Sequence, residues 1–203
     1  MKVHFEQKSY SHVEFMFSPE VGDGVVPIDR VHFMSPKLGR MKPDRIALIS
    51  YLLCSGFIGN TLDVEGIYFS PYLATALVDN FHPRELFLQP VNSVPKRIMP
   101  VLDVRKQQWD WVDDGGMTAG NDIAFSRTQT GYKIVGVDQS ESVMRSNLRM
   151  ATTFLDNCEI VERLVVAAIA FDVTGAQSIA RVPPTISKTS LYSLLTFAGF
   201  SHA

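Results

Sequence analysis

Apolar and polar residues alternate at the start of the chain. In Lys2 to Gln7 and His12 to Phe17, the residues Val3, Phe5, Val13, Phe15 and Phe17 share one parity, the period-two signature of half-buried strands. Val25 to Met34 predicts a third strand, with Pro27 at its start or at an edge because proline has no N–H for the ladder. Gly22-Asp23-Gly24 marks the turn between the second and third, so this region reads as a meander or a pair of hairpins.

Beyond Ser35 the period changes. Pro36 to Arg45 is a basic connector, and Asp44 to Cys54 predicts a largely buried helix, because Ile46, Ala47, Leu48, Ile49, Leu52 and Leu53 run most of the way round it. Ser55-Gly56 stops that helix, and Thr61 to Phe69 predicts a strand. Ser70-Pro71 is a helix start: the serine hydroxyl caps free amides, and proline at the first position lacks the donor that would go unpaired. His82 to Leu102 is rich in proline, with short strands expected at Leu86 to Leu88 and Ile98 to Val104. Trp109 to Asn121 is expected to be loop. Ile123 to Arg127 and Tyr132 to Val137 predict a hairpin across Thr128 to Gly131.

Asp138 to Asp156 predicts a helix, with Met144, Leu148, Ala151 and Leu155 at three-and-four spacing and Arg145 and Arg149 on its outer face. Leu164 to Val173 is apolar and branched and predicts a central strand buried on both faces, although Glu159 to Arg163 equally suits a helix. Pro183-Pro184 is a spacer before a last helix, Ser187 to Ala198, stopped by Gly199. There is no internal repeat. The irregular alternation predicts an α+β fold: a mixed, mainly antiparallel sheet with three to five helices packed on it. A single domain over 1–203 is expected, with a weak boundary near 103–121.

Composition removes whole classes. Hydrophobic residues make up 46 % and charged residues 20 % of the 203, with 13 glycines and 11 prolines, which excludes disordered and collagen-like chains. Nineteen basic residues against 21 acidic ones give a formal charge of −2. Such a balance supplies no global field for nucleic acid. The longest apolar run, Leu164 to Phe171, is far short of the roughly 20 residues of a membrane span, and Met1 to Glu6 lacks the apolar core of a signal peptide. Cys54 and Cys158 form no disulfide framework or zinc cluster and read as two buried thiols in a reducing, cytoplasmic compartment.

The most polar segment runs from Trp109 to Asp122. Asp110, Asp113, Asp114 and Asp122, with Asp138 beyond, supply carboxylates for Mg²⁺ or Mn²⁺. Gly115, Gly116, Gly120 and Asn121 would let backbone amides approach a phosphate, and Trp109 and Trp111 offer a stacking surface. The spacing fits neither an EF-hand nor a P-loop, and a solvated turn explains the same residues. Asp138 also ends a predicted strand, where nucleases and kinase-like ATPases keep a metal carboxylate. Capping accounts for it more simply: Asp138-x-x-Glu141 is a capping box and Glu141/Arg145 a helical ion pair.

Lys37, Arg40, Lys42 and Arg45 form a candidate anion patch that equally suits a solvated connector. Cys54 with His4, His12, His32 or His82 is the one conceivable nucleophile and base, but an apolar helix raises a thiol's pKa and makes it inert. No Gly-x-Ser-x-Gly elbow or His-Glu-x-x-His helix is present.

Pro43 to Leu88, with Asn60-Thr61-Leu62-Asp63-Val64-Glu65-Gly66 followed by Ser70-Pro71-Tyr72-Leu73-Ala74-Thr75-Ala76-Leu77, resembles the lead-in segment that precedes the ATPase domain in 7-deazaguanine-synthase-like (PP-loop ATPase) proteins. The Ser-Gly-Gly-x-Asp-Ser loop of that family is missing, so the resemblance implies an accessory protein and not ATP chemistry. The expectation is therefore an accessory or assembly subunit acting through a protein partner, with no membrane and no nucleic acid. The alternative is a metal-dependent phosphoester hydrolase or nucleotide-handling enzyme built on the Asp-rich segment.

Overall fold

A computed structural model describes residues 1–36, 38–80, 86–89, 108–109, 122–135, 141–174, 178–179 and 201–202. The chain opens with β1 (Lys2–Ser9), β2 (His12–Ser18) and β3 (Arg30–Met34), an antiparallel meander as the alternation predicts. β3 is shorter than its apolar pattern: it begins past Pro27, where the amide of Phe17 first reaches the carbonyl of Asp29 at 2.8 Å. The helix α1 (Pro43–Cys54), the strand β4 (Thr61–Val64), the helix α2 (Pro71–Asn80) and the strand β5 (Phe87–Gln89) follow. β4 stops five residues before Phe69, because the chain turns at Gly66 with φ of +70°.

The capping expected at Ser70 is present. Its hydroxyl accepts from the amide of Leu73 at 3.3 Å, and its own amide donates to Asp44 Oδ1 at 3.1 Å. One carboxylate in the first turn of α1 thereby fixes the start of α2.

The remaining elements are β6 (Gln108–Trp109), β7 (Asp122–Thr128), β8 (Gly131–Val135), β9 (Glu141–Ser146), α3 (Leu148–Thr152), α4 (Cys158–Thr174), β10 (Ser178–Ile179) and β11 (Ser201–His202). The sheet order is β11-β10-β6-β7-β8-β9-β3-β2-β1-β4-β5. Its body, from β7 to β5, is antiparallel except where β4 pairs with β1 and with β5. β6, β10 and β11 extend it as short parallel pairs. This is the α+β class expected. The predicted strand at 98–104, the predicted helix at 187–198 and nearly all of the boundary near 103–121 lie outside the described residues.

Two expectations fail, and they fail together. From Glu141 onward, the helix predicted over 138–156 is the strand β9 followed by the short α3. The strand predicted over 164–173 lies within the helix α4. Met144, Leu148, Ala151 and Leu155 are all buried, as their spacing demands, but a strand, a helix and a turn carry them. The upstream half of that segment is Ser142, Ser146 and Asn147, poor helix formers whose side chains compete for backbone groups. Asn147 does so here. Its Oδ1 accepts from the amide of His32 at 2.9 Å and its Nδ2 donates to the carbonyl of Arg30 at 2.9 Å, which prolongs the β3–β9 ladder by one side-chain amide. Glu141 pairs not with Arg145 but across the strands with Lys133, at 2.5 Å.

In α4 the alanines Ala167, Ala168 and Ala170 favour the helix. Every residue from Leu164 to Ala170 is buried, so the helix is covered on all sides. Each of its fully buried Leu, Val and Ile side chains contributes about 1.5–3 kcal/mol. α1 and α3 pack on α4, and all four helices share one core with Val3, Val13, Phe15, Val31, Phe33 and Ile134 of the sheet.

Two polar clusters tie this layer together. Arg127 holds Glu162 of α4 through two hydrogen bonds, at 3.1 and 2.9 Å, and the Tyr132 hydroxyl donates to the same carboxylate at 2.5 Å. The β7–β8 hairpin is thus pinned to α4. The amine of Met1 donates to the carbonyl of Thr61 at 2.7 Å and meets Asp23 Oδ2 at 2.5 Å. No described helix is long and apolar enough to cross a membrane.

At Gly131 the chain turns into β8 with φ of +154°, and a Cβ there would overlap the carbonyl oxygen of Met144 on β9. Gly131→Ala is therefore expected to destabilise the fold by about 2–4 kcal/mol. Urea unfolding checks this, by a lowered midpoint at an unchanged slope.

Candidate functional site

The Asp-rich segment is barely placed. Asp110, Trp111, Asp113, Asp114, Gly115, Gly116, Gly120, Asn121 and Asp138 lie outside the described residues, as does Lys37. Trp109 and Asp122, which bracket the segment, belong to the neighbouring parallel strands β6 and β7, where Gln108 is opposite Asp122. Among the described residues, no group of three or more His, Cys, Asp or Glu is placed to hold a metal ion. Of the candidate anion patch, Arg40 and Lys42 are exposed, but Arg45 is buried at the start of α1.

Cys54 is buried in α1, where its thiol donates to the carbonyl of Ser50 at 2.8 Å and burial pushes its pKa well above the ordinary range. His4, His12 and His32 sit on the far side of the sheet from it, so no thiol–imidazole pair arises among the described residues. Cys158 is exposed at the start of α4, contrary to the expectation of two buried thiols.

What the strands do build is an outward face. The parity that sends Val13, Phe15, Val31 and Phe33 into the core sends His12, Glu14, Met16, Arg30, His32 and Met34 to the other side. Among the described residues no helix covers that side. Its centre is Glu14, only 5 % exposed because the cations around it close over it. Lys8 Nζ lies 2.8 Å and His12 Nε2 2.9 Å from Glu14 Oε1, and Arg30 Nη1 lies 3.5 Å from Oε2. Glu6 and His32 are its cross-strand neighbours.

The hydrogen bond from Lys8 holds the Glu14 carboxyl below the usual range. Burial opposes that shift, and the charges of Lys8, Arg30 and His12 reinforce it. Burial holds His32 below the ordinary histidine value, and the charges of His12 and Arg30 add to this against that of Glu14.

β9 and β8 extend the face. Arg145 is directly opposite Met34, and Val143 is opposite Lys133. Met34 is 42 % and Val143 51 % exposed. Two carboxylates of this region are engaged, Glu14 by Lys8, His12 and Arg30 and Glu141 by Lys133, while Glu6 on β1 is exposed beside Glu14. Among the described residues, the part of the face on β3, β8 and β9 therefore offers cations and apolar side chains to a partner, with its one carboxylate, Glu141, held by Lys133.

No family model matches the chain, and no curated protein or solved structure matches it.

The pattern along the chain does not single out Glu14, Arg30, Met34, Val143 or Arg145. The outward parity of β2 and β3 is legible in it, but the juxtaposition with β9 is not, because that segment carries helical spacing.

Because its pKa is depressed in the folded state, Glu14 stabilises the fold above the ordinary carboxylate value of about 4.3. That contribution is lost as pH falls through the folded-state value. Glu14→Gln is expected to melt below the wild type at neutral pH, with the gap closing as pH drops from about 5 toward 3. Thermal unfolding across this range measures it; a gap independent of pH would assign the loss to packing instead of charge.

Proposed function

We propose that this protein acts by binding another protein, as an accessory or assembly subunit of a larger cytoplasmic complex. The observation that carries this reading is the sheet face that no described helix covers, where Met34 and Val143 stand exposed among Arg30, Lys133 and Arg145. Single exposed apolar side chains are ordinary on any surface. Two on neighbouring strands, set among arginines, have the composition of an interface, where Met and Arg are enriched. A nucleic acid is the poorer fit, since the chain carries a formal charge of −2 and the outward side of β2, β3, β8 and β9 presents no Phe, Tyr or Trp among the described residues.

Native purification of the tagged protein from its own cells, followed by lysine crosslinking and mass spectrometry, tests the reading. One partner at fixed stoichiometry is expected, crosslinked through Lys8 or Lys133 and lost from a Met34→Asp/Val143→Asp variant. Both positions are exposed, so this variant should keep nearly the wild-type melting temperature. A partner-free monomer, or a partner held equally by the variant, would contradict it.

A further inference from the structure

The cations of the uncovered face are not equivalent. Arg30 lies beside Glu14, and Lys133 beside Glu141. Arg145 is exposed on the same face and, among the described residues, has no carboxylate within ion-pair distance. On β2, β3, β9 and β8 the carboxylates Glu14 and Glu141 are both engaged, and the exposed Glu6 of β1 is beyond Glu14, three strands from β9. Among the described residues of β3, β8 and β9, the outward cation with no carboxylate beside it is Arg145.

Its neighbours are apolar. Met34 is its cross-strand partner, which places the two Cα atoms about 5 Å apart. Val143 lies two residues back on the same strand face, about 7 Å away. A carboxylate received by Arg145 would therefore have an exposed thioether on one side and an exposed isopropyl group on the other.

Resting on the binding reading above, we propose that this face receives an acidic segment of a partner protein, one of whose carboxylates pairs with Arg145 while flanking apolar side chains cover Met34 and Val143. Arginine suits the role because its planar fork takes a carboxylate through two hydrogen bonds. The apolar flanks exclude water from the pair and so strengthen it. A purely electrostatic contact would not need them. A phosphate backbone would need a row of free cations, whereas the described part of this face has one.

The test uses the full chain and three fluorescent probes: a short peptide of Glu, Asp and Leu, the same peptide with Lys in place of the acids, and a single-stranded RNA of equal length. Anisotropy should show binding of the acidic peptide alone, weakened by salt. Arg145→Glu should weaken it by about tenfold or more and allow the Lys/Leu peptide to bind instead, while Arg145→Lys keeps part of the affinity. Met34→Ala should weaken the acidic peptide several-fold without altering its salt dependence. Binding of the acidic peptide unchanged by Arg145→Glu, or preference for the RNA, would overturn the proposal. Recovery of a native partner with no binding of the acidic peptide would overturn it too, and leave the subunit reading standing. Acidic-peptide binding with no native partner would do the reverse.

Discussion

A helix apolar around its whole circumference is stable only where every side is covered, and α4 is such a helix. From Leu164 to Ala170 no side chain reaches water. The sheet supplies one wall, and α1 and α3 supply others. α1 is itself buried from Arg45 to Cys54, so the two helices also need each other. Two of its interior polar groups are met within the helix, the Ser50 hydroxyl on the carbonyl of Ile46 and the Cys54 thiol on that of Ser50. Collecting the helices on one side of the sheet is the simplest way to satisfy both.

The opposite side is left to polar side chains, and its character follows from register. A one-residue slip in β2 would exchange Val13 and Phe15 for His12 and Glu14 and place a carboxylate in the core. With the register as it is, Glu14 collects Lys8, His12 and Arg30 above the sheet, while Arg127, Tyr132 and Glu162 close a second network beneath it. The two networks differ in purpose. The lower one joins a hairpin to a helix and is spent within the fold; the upper one joins neighbouring strands and leaves Arg145, Met34 and Val143 facing outward.

The fold was legible where local chemistry and tertiary context agree. Alternation over 2–17 and the Ser70-Pro71 start of α2 are visible in the residues alone, and both are present. Between 141 and 174 they disagree. Met144, Leu148, Ala151 and Leu155 carry the spacing of a helix, yet the gap between β3 and β8 takes Glu141–Ser146 as a strand. Conversely, an unbroken apolar run has no period to show whether it is a buried strand or a buried helix, and the alanines of 167–170 are the one signal that favours the helix. The candidate face was hidden for the same reason. Half of it stands on β9, and an arginine on the outer side of a supposed helix gives no hint of a methionine across from it in a sheet. The Asp-rich segment drew attention through composition alone, and between Trp109 and Asp122 it lies outside the described residues.

The most direct measurement of this arrangement is the backbone Cα chemical shifts of the labelled protein in solution. Positive secondary shifts over 158–174 and negative ones over 141–146, with a cross-strand contact between Met34 and Arg145, are the expected result. Extended shifts over 164–171 with helical shifts over 141–156 would contradict it. They would remove both the helix that gathers the core and the strand that carries Arg145.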